Sequence, residues 1–335
     1  MIVTKDENSS IDVNPIDVGG RLVFFKEDTF LQNALFEGIN IYNPISLRSM
    51  NIDTLPGYKI KQYQYDNVKT KNLEDLSCEK HDFRSINEEK LLVYASPNFY
   101  HFFIDTMPHI AYFHKKFPDA LIIIHALDIV TLKHWSLMQV LTDYLKANNI
   151  KHMILTKSYF LAINNFYVVN CTDFSDIKMD LIYDIAKTYI EDINKKPTKK
   201  VYLSRKNVSQ RIQDEEILEN FLKEIGFEIV FPEDFKDFKE QANFFNDVHT
   251  LISATSAGIT NSIFMQPGGV VIELIVPKPL VDPIPGMSSI HSDHFLLMCF
   301  NKKHKYFGIR TPRNSNDIVE YIKNDISILD FIVKR

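Results

Sequence analysis

The sequence predicts an α/β protein built from two Rossmann-like halves, and three observations carry that prediction. Short runs of continuous apolar residues, KLLVYA (90–95), ALIIIH (120–125), KVYLS (200–204) and VVIELIV (270–276), have the length of strands buried on both faces. Between them lie segments with apolar residues at helical spacing. The stretch Asn194-Lys195-Lys196-Pro197 is polar, closed by a proline, and divides the chain into two such alternations. Strands alternating with helices give a parallel sheet, and two halves joined by a linker place a cleft between them. Residues 1–194 and 198–310 are therefore expected to form separate domains facing a central cleft, with 311–335 a helical segment packing back on the body.

In chain order, residues 1–85 carry the weakest pattern. RLVFF (21–25) reads as a strand, and 51–82 as mixed loops and short strands. From Lys90 the signal is regular. After strand 90–95, Ser96, Pro97 and Asn98 supply turn and helix-start chemistry, and 99–117 places apolar side chains around most of a helix. Strand 120–125 is followed by an amphipathic helix over 135–149, with Leu137, Met138, Leu141, Tyr144 and Leu145 at helical spacing. Strands at 152–155 and 166–170 precede a helix over 177–193 that runs into the boundary. The second half reads as strand 200–204, helix 214–225 stopped by Gly226, strand 227–231, helix 238–247, strand 249–253, helix 257–265 and strand 270–276. Ile318, Tyr321 and Ile322 mark a helix in the C-terminal segment.

Bulk properties narrow the function. The 335 residues are 45% hydrophobic and 24% charged, an ordinary globular composition with apolar material for two cores. A net charge of −5 argues against a general nucleic-acid binder, whose domains are usually basic. Cys78, Cys171 and Cys299 are odd in number and far apart, so neither a disulfide framework nor a zinc knuckle follows, and a reducing compartment is the expectation. The N-terminus is polar after three residues, without the apolar stretch of a signal peptide. No run reaches the ~18 to 20 apolar residues a bilayer span needs, so a cytoplasmic protein without an integral membrane segment is expected.

Four segments carry chemistry. Ser253-Ala-Thr-Ser-Ala-Gly-Ile-Thr-Asn261 follows a strand, consists of small residues and opens a helix. Backbone N–H groups at Ser256, Ala257 and Gly258 can approach a phosphate there, although a tight strand-to-helix turn needs the same residues. Ser204-Arg205-Lys206 and Arg211 follow the strand at 200–204, where open α/β sheets bind ligands; a surface pairing with Asp214, Glu215 or Glu216 is the alternative. Glu273 sits among Ile272, Leu274 and Ile275, where a carboxylate needs a partner: ribose hydroxyls or a structural cation. His101 and Asp105 share a helix face at i,i+4 in an aromatic segment, as a general base or as half of a metal site that lacks an obvious third ligand. His291-Ser-Asp293-His294 is a further polar cluster, read as a solvated loop or acceptor-side contact rather than a zinc site. The chain has no Asp-x-Asp, no Walker A loop, no GxGxxG and no GxSxG, which removes the best support for NTPase, dinucleotide oxidoreductase and α/β-hydrolase readings.

Taken together, NFYHFFIDTMPHI (98–110), VYLSRKNVSQRIQDEEIL (201–218) and FKEQANFFNDVHTLISATSAGITNSIFMQPGGVVIEL (238–274), in that order, resemble glycosyltransferase family 61. The matching features are Asn98, His101, Asp105 and Pro108, then Ser204-Arg205 with Arg211, a glutamine (Gln241), the small-residue turn leading to Asn261, and a strand ending Glu273-Leu274. Thr255-Ser256 stand where the family often has His-Gly, so an imidazole is missing from the turn, although a backbone cradle does not need it. The resemblance implies a GT-B architecture and an inverting, metal-independent transfer from a nucleotide sugar, usually a UDP-sugar, to a hydroxyl acceptor. It also implies a microbial or viral role in surface glycan synthesis. No resident cofactor is expected, since the nucleotide sugar is a substrate.

On that reading Asp105 is the favoured base with His101 orienting it or sharing the role, and the reverse order stays open. Arg205, Arg211, Ser256, Ala257 and Gly258 meet the leaving diphosphate, Glu273 holds the ribose, and Asn261 fixes the turn or touches phosphate. Two alternatives compete: a catalytically inactive sugar-nucleotide or glycan binder of the same fold, and a different cleft enzyme such as an epimerase or phosphatase.

Overall fold

The computed structural model describes strand segments within residues 21–82 and residues 87–156, 159–162, 165–170, 176–205, 212–276, 294–312 and 314–324. The chain forms a mixed α/β fold with parallel sheets, divided into two compact units, Met1–Ile182 and Tyr183–Arg335.

The first unit contains, in chain order, β1 (Arg21–Leu22), β2 (Phe36–Glu37), β3 (Ile39–Asn40), β4 (Leu47–Leu55), β5 (Tyr58–Tyr65), β6 (Glu79–Asp82), β7 (Lys90–Tyr94), β8 (Leu121–His125), β9 (His152–Leu155), β10 (Tyr159–Ala162) and β11 (Asn165–Asn170). Its main sheet has six strands in the order β4-β5-β11-β7-β8-β9. From β11 to β9 the strands are parallel, while β4 and β5 add an antiparallel ribbon on the β11 side. The nine- and eight-residue strands β4 and β5 are longer and more regular than the mixed loops and short strands expected over 51–82. Leu91, Leu92, Ile122, Ile123 and Ile124 are all buried, as continuous apolar strands of a covered parallel sheet should be. The chain runs outward from β7 through β8 to β9 and then returns to place β11 on the other side of β7. The strand order therefore reverses between β7 and β11.

The helices of this unit are α1 (Phe99–His101), a π-helical turn (Phe102–Thr106), α2 (Met107–Lys116), α3 (Leu127–Thr131), α4 (Trp135–Ala147) and α5 (Asp176–Lys187). The expected uninterrupted helix over 99–117 thus carries one wider turn. The expected helix over 177–193 ends at Lys187, six residues early. Beyond it Asn243 accepts from Glu191 N–H and donates to the Tyr189 carbonyl, and Asn246 donates to the Asp192 carbonyl. Side-chain partners thus satisfy a turn-rich backbone that a helix would otherwise have to satisfy. The division between units falls inside α5.

The second unit holds β12 (Lys199–Leu203), β13 (Glu228–Val230), β14 (Val248–Ala254), β15 (Val270–Ile275) and β16 (Lys305–Arg310), all parallel, in the order β13-β12-β14-β15-β16. The chain leaves β12 toward β13 and comes back to β14 on the opposite side, so this sheet reverses between β12 and β14. Its helices are α6 (Glu215–Glu224), α7 (Phe238–Asn246), a 3₁₀ helix (Ala257–Phe264), α8 (His294–Asn301) and α9 (Ser315–Asn324), with a single 3₁₀ turn at Pro232–Asp234. Ile318 and Ile322 of α9 join Tyr202, Leu218, Leu222, Ile252 and Ile272 in the core of this unit. Tyr321, grouped with them by spacing, is 43% exposed. Of the strand expected over 21–25, residues 23–25 lie outside the described residues, as do residues 325–335.

Candidate active site

In the first unit the site begins where β7 ends. Asn98 caps the following helix, its side chain accepting from the Tyr100 and His101 N–H groups, an arrangement worth about 1 kcal/mol. One turn later the Met107 N–H reaches the Phe102 carbonyl, five residues back, which makes the π turn. Thr106 fastens that turn to the strand: its hydroxyl donates to the Tyr94 carbonyl at 3.1 Å and accepts from Ser96 N–H at 3.2 Å. The widened turn carries Asp105. His101 Nδ1 lies 2.9 Å from Asp105 Oδ2, and Lys178 Nζ donates to Oδ1 at 3.1 Å.

The three side chains differ sharply in exposure. His101 is 41% exposed, whereas the Asp105 and Lys178 side chains are 7% and 2% exposed. A carboxylate only accepts, so the neutral imidazole that meets it carries its proton on Nδ1 and keeps its basic lone pair on Nε2. Next to them His109 is buried, and burial pulls its pKa down to about 4, so it stays neutral. Burial, reinforced by the charge of Asp105, pushes the Tyr100 phenol far up. Among the described residues, no group of three His, Cys, Asp or Glu side chains is placed to hold a metal ion.

The sequence places His101 and Asp105 on one helix face, and their side chains do meet. Lys178, 73 residues farther on, was missed. Its only signal was a charged residue within the apolar periodicity of 177–193, and position alone does not say which carboxylate a buried lysine finds.

In the second unit Ser204 and Arg205 follow β12, and the small-residue turn follows β14 directly beside it, with Leu203 in register with Ser253. The Arg205 N–H donates to Glu215 Oε1 at 3.2 Å, and the same oxygen accepts the Tyr202 hydroxyl at 2.7 Å. Ser204 Oγ lies within hydrogen-bond distance of both Glu215 and Glu219. The first turn of α6 thus fixes the loop that carries Arg205, which is partly exposed. Arg211, Lys206 and His291-Ser-Asp293 lie outside the described residues; His294 is exposed at the start of α8.

The turn after β14 differs from expectation in one respect. It opens a 3₁₀ helix, and Ser256 Oγ accepts the Gly258 N–H at 3.2 Å, so that amide is already engaged while the serine hydroxyl keeps its own proton to donate. Ala257 and Gly258 are partly exposed. Asn261 is 1% exposed and braces the turn from below, accepting from Gln241 at 2.7 Å and donating to the Gly258 carbonyl at 2.9 Å. Glu273, buried at the fourth position of β15, accepts the Tyr306 hydroxyl, a neutral donor in place of the cation weighed from sequence.

Gly258 is needed for close approach. A Cβ there would sit 2.7 Å from Leu203 Cδ2 and 3.2 Å from Ser256 Oγ, and Leu203 is itself buried. Gly258→Val is expected to destabilise by about 1–3 kcal/mol, the range for overpacking a filled interior, with thermal unfolding as the measurement.

Both groups of residues occupy the C-terminal edge of a parallel sheet at the point where its strand order reverses. Arg205 and Ser256 follow β12 and β14. His101 and Asp105 follow β7, and Lys178 is on the helix after β11. Open α/β sheets bind ligands in the crevice formed there.

Comparison with known proteins bears on the family. The family model "Glycosyltransferase 61" matches residues 99–272, just over half of the chain, and that stretch includes His101, Asp105, Lys178, Arg205 and the turn at 254–261. No curated protein matches the chain. Among solved structures, a glycosyl transferase family 9 protein from Veillonella parvula is similar to it at 10% identity, covering 70% of this chain and 88% of its own. The TM-score between the two is 0.32.

Proposed function

We propose that this chain, which belongs to glycosyltransferase family 61, moves a sugar from a nucleotide-sugar donor, a UDP-sugar, to a hydroxyl of a glycan or other acceptor, with inversion and without a catalytic metal. The observation that supports the mechanism best is the His101–Asp105 pair, an exposed imidazole held by a buried carboxylate. Of the two assignments open from sequence, this favours His101 as the base. Asp105 has one oxygen on His101 and the other on Lys178, while the neutral His101 that meets it carries its basic lone pair on Nε2.

In the proposed reaction His101 Nε2 takes the acceptor hydroxyl proton as that oxygen attacks the anomeric carbon. The bond from that carbon to the diphosphate oxygen breaks on the opposite face, which inverts the configuration. Asp105 stabilises the imidazolium that forms. The charge left on the diphosphate is met by Arg205 and by the Ser256 hydroxyl, with Arg211 as a further cation suggested by the sequence. That cationic set and the missing Asp-x-Asp support a metal-independent donor site. A GT-B architecture belongs to the same proposal. So does a part in surface glycan synthesis. No described helix is long and apolar enough to cross a membrane.

Calorimetric titration with UDP, GDP and CMP, with and without EDTA, tests the donor assignment. UDP is expected to bind in preference to the others and to keep its affinity in EDTA. Absence of nucleotide binding would overturn the donor site, and binding abolished by EDTA would overturn metal independence.

A further inference from the structure

We propose that Lys178 is a positioning residue for proton transfer, fixing Asp105 and tuning the basicity of His101; this rests on the reading of His101 as the base. The lysine is the third residue of α5, its side chain is 2% exposed, and its ammonium sits 3.1 Å from Asp105 Oδ1. Burying an ammonium group is costly unless it is paired, and here the pairing is with the carboxylate that holds the exposed imidazole.

Two physical consequences follow. The first is geometric. With Oδ1 on Lys178 and Oδ2 on His101, the Asp105 carboxylate is held at both oxygens and cannot swing away from Nδ1. The π turn contributes to the same end, because the extra residue sets where Asp105 leaves the helix, and Thr106 ties that turn to the end of β7. The second is electrostatic. A lone buried carboxylate beside His101 would strongly favour the imidazolium, which cannot accept a proton. The Lys178 ammonium, 3.1 Å from the same carboxylate, opposes that pull.

The other titratable groups around the pair leave this balance intact. His109 on α2 is held neutral by burial, and Tyr100 on α1 is held protonated by burial and by Asp105. Asp176 and Asp180, on the same helix as Lys178, are exposed to solvent. Lys178 and Asp105 are therefore the opposed buried charges that act on His101 among the described residues.

The test follows the His101 titration by NMR in protein carrying ¹³C-labelled histidine, without substrate, assigning the resonance by its loss in His101→Gln. In Lys178→Met, which removes a positive charge from beside Asp105, the His101 midpoint is expected to rise. The acidic limb of the kcat/KM profile should rise by the same amount, while UDP affinity stays unchanged. Lys178→Gln supplies a second variant that removes the charge but keeps a hydrogen-bond donor for Asp105: it too must raise the His101 midpoint. An unmoved midpoint in either folded variant overturns the proposal, as does a Lys178→Met defect confined to KM. The titration needs no turnover. Failure of the wild-type protein to transfer any sugar would therefore sink the functional reading while leaving the coupling itself measurable.

Discussion

His101→Gln is expected to lower kcat for sugar transfer by about 100- to 10,000-fold, the usual contribution of a positioned general base, while leaving UDP affinity unchanged. Glutamine can still donate a hydrogen bond toward Asp105, so the helix and the pair survive the substitution. What is lost is the basic nitrogen. Steady-state kinetics and nucleotide calorimetry on the same preparation separate the two effects: a fall in kcat alone identifies the base, and a matching fall in UDP affinity would place His101 on the donor instead. In the wild type the same mechanism requires activity to fall toward acid as His101 takes up a proton. His101→Gln should show a low, flat acidic limb. A variant retaining wild-type kcat would return the role of base to Asp105.

Much of this arrangement was legible in the chain. The continuous apolar strands at 90–95, 120–125, 200–204 and 270–276 are present with ends shifted by a residue or so, because burial on both faces leaves a signal that needs no partner to interpret. The pair at i,i+4 was legible for the same reason, since helix geometry alone brings those positions together. The antiparallel ribbon β4–β5 read only as mixed loops and short strands, although Tyr58 and Ile60, then Tyr63 and Tyr65, recur at period two and Pro56-Gly57 stands between the strands in sequence. Lys59, Lys61, Gln62 and Gln64 dominate that segment, and the adjacent Lys61-Gln62 break the alternation that would have marked one long strand. Strand β16 was missed because it is an edge strand, KYFGIR, with its polar residues exposed and little apolar continuity.

The site was legible only in its local parts. Asn98, His101 and Asp105 lie within eight residues and define one another. Lys178 reaches Asp105 only because β11 returns beside β7, a topological fact with no local signature. The same holds for Gln241 and Asn261, a pair formed across twenty residues by the packing of α7 against the 3₁₀ helix. Phe102–Thr106 itself contains nothing that a continuous α-helix would reject, but Pro108 just beyond it has no N–H for the Ile104 carbonyl, a break in the α ladder that the sequence does show.

Arg205→Ala is expected to reduce kcat/KM by about 100- to 1000-fold, the cost of deleting one preorganised group that meets charge as it develops. The effect should appear in both ground state and transition state, because the diphosphate is charged before the bond breaks and more so afterwards. UDP affinity should therefore fall with kcat/KM, and kcat should fall as well. Arg205→Lys is expected to recover only a small part, since an ammonium lacks the planar fork that two phosphate oxygens can share. The surroundings of Arg205 make the experiment informative. Its backbone is held by Glu215, which also takes the Tyr202 hydroxyl, so truncating the side chain leaves the loop anchored and isolates the guanidinium. Glu215→Gln addresses the complementary possibility, weakening the anchor while keeping the guanidinium. If the geometry of the loop matters, Glu215→Gln should lower UDP affinity without abolishing it. If Arg205→Ala binds UDP as tightly as the wild type, the donor diphosphate lies elsewhere, and the reversal of strand order between β12 and β14 is not the donor site.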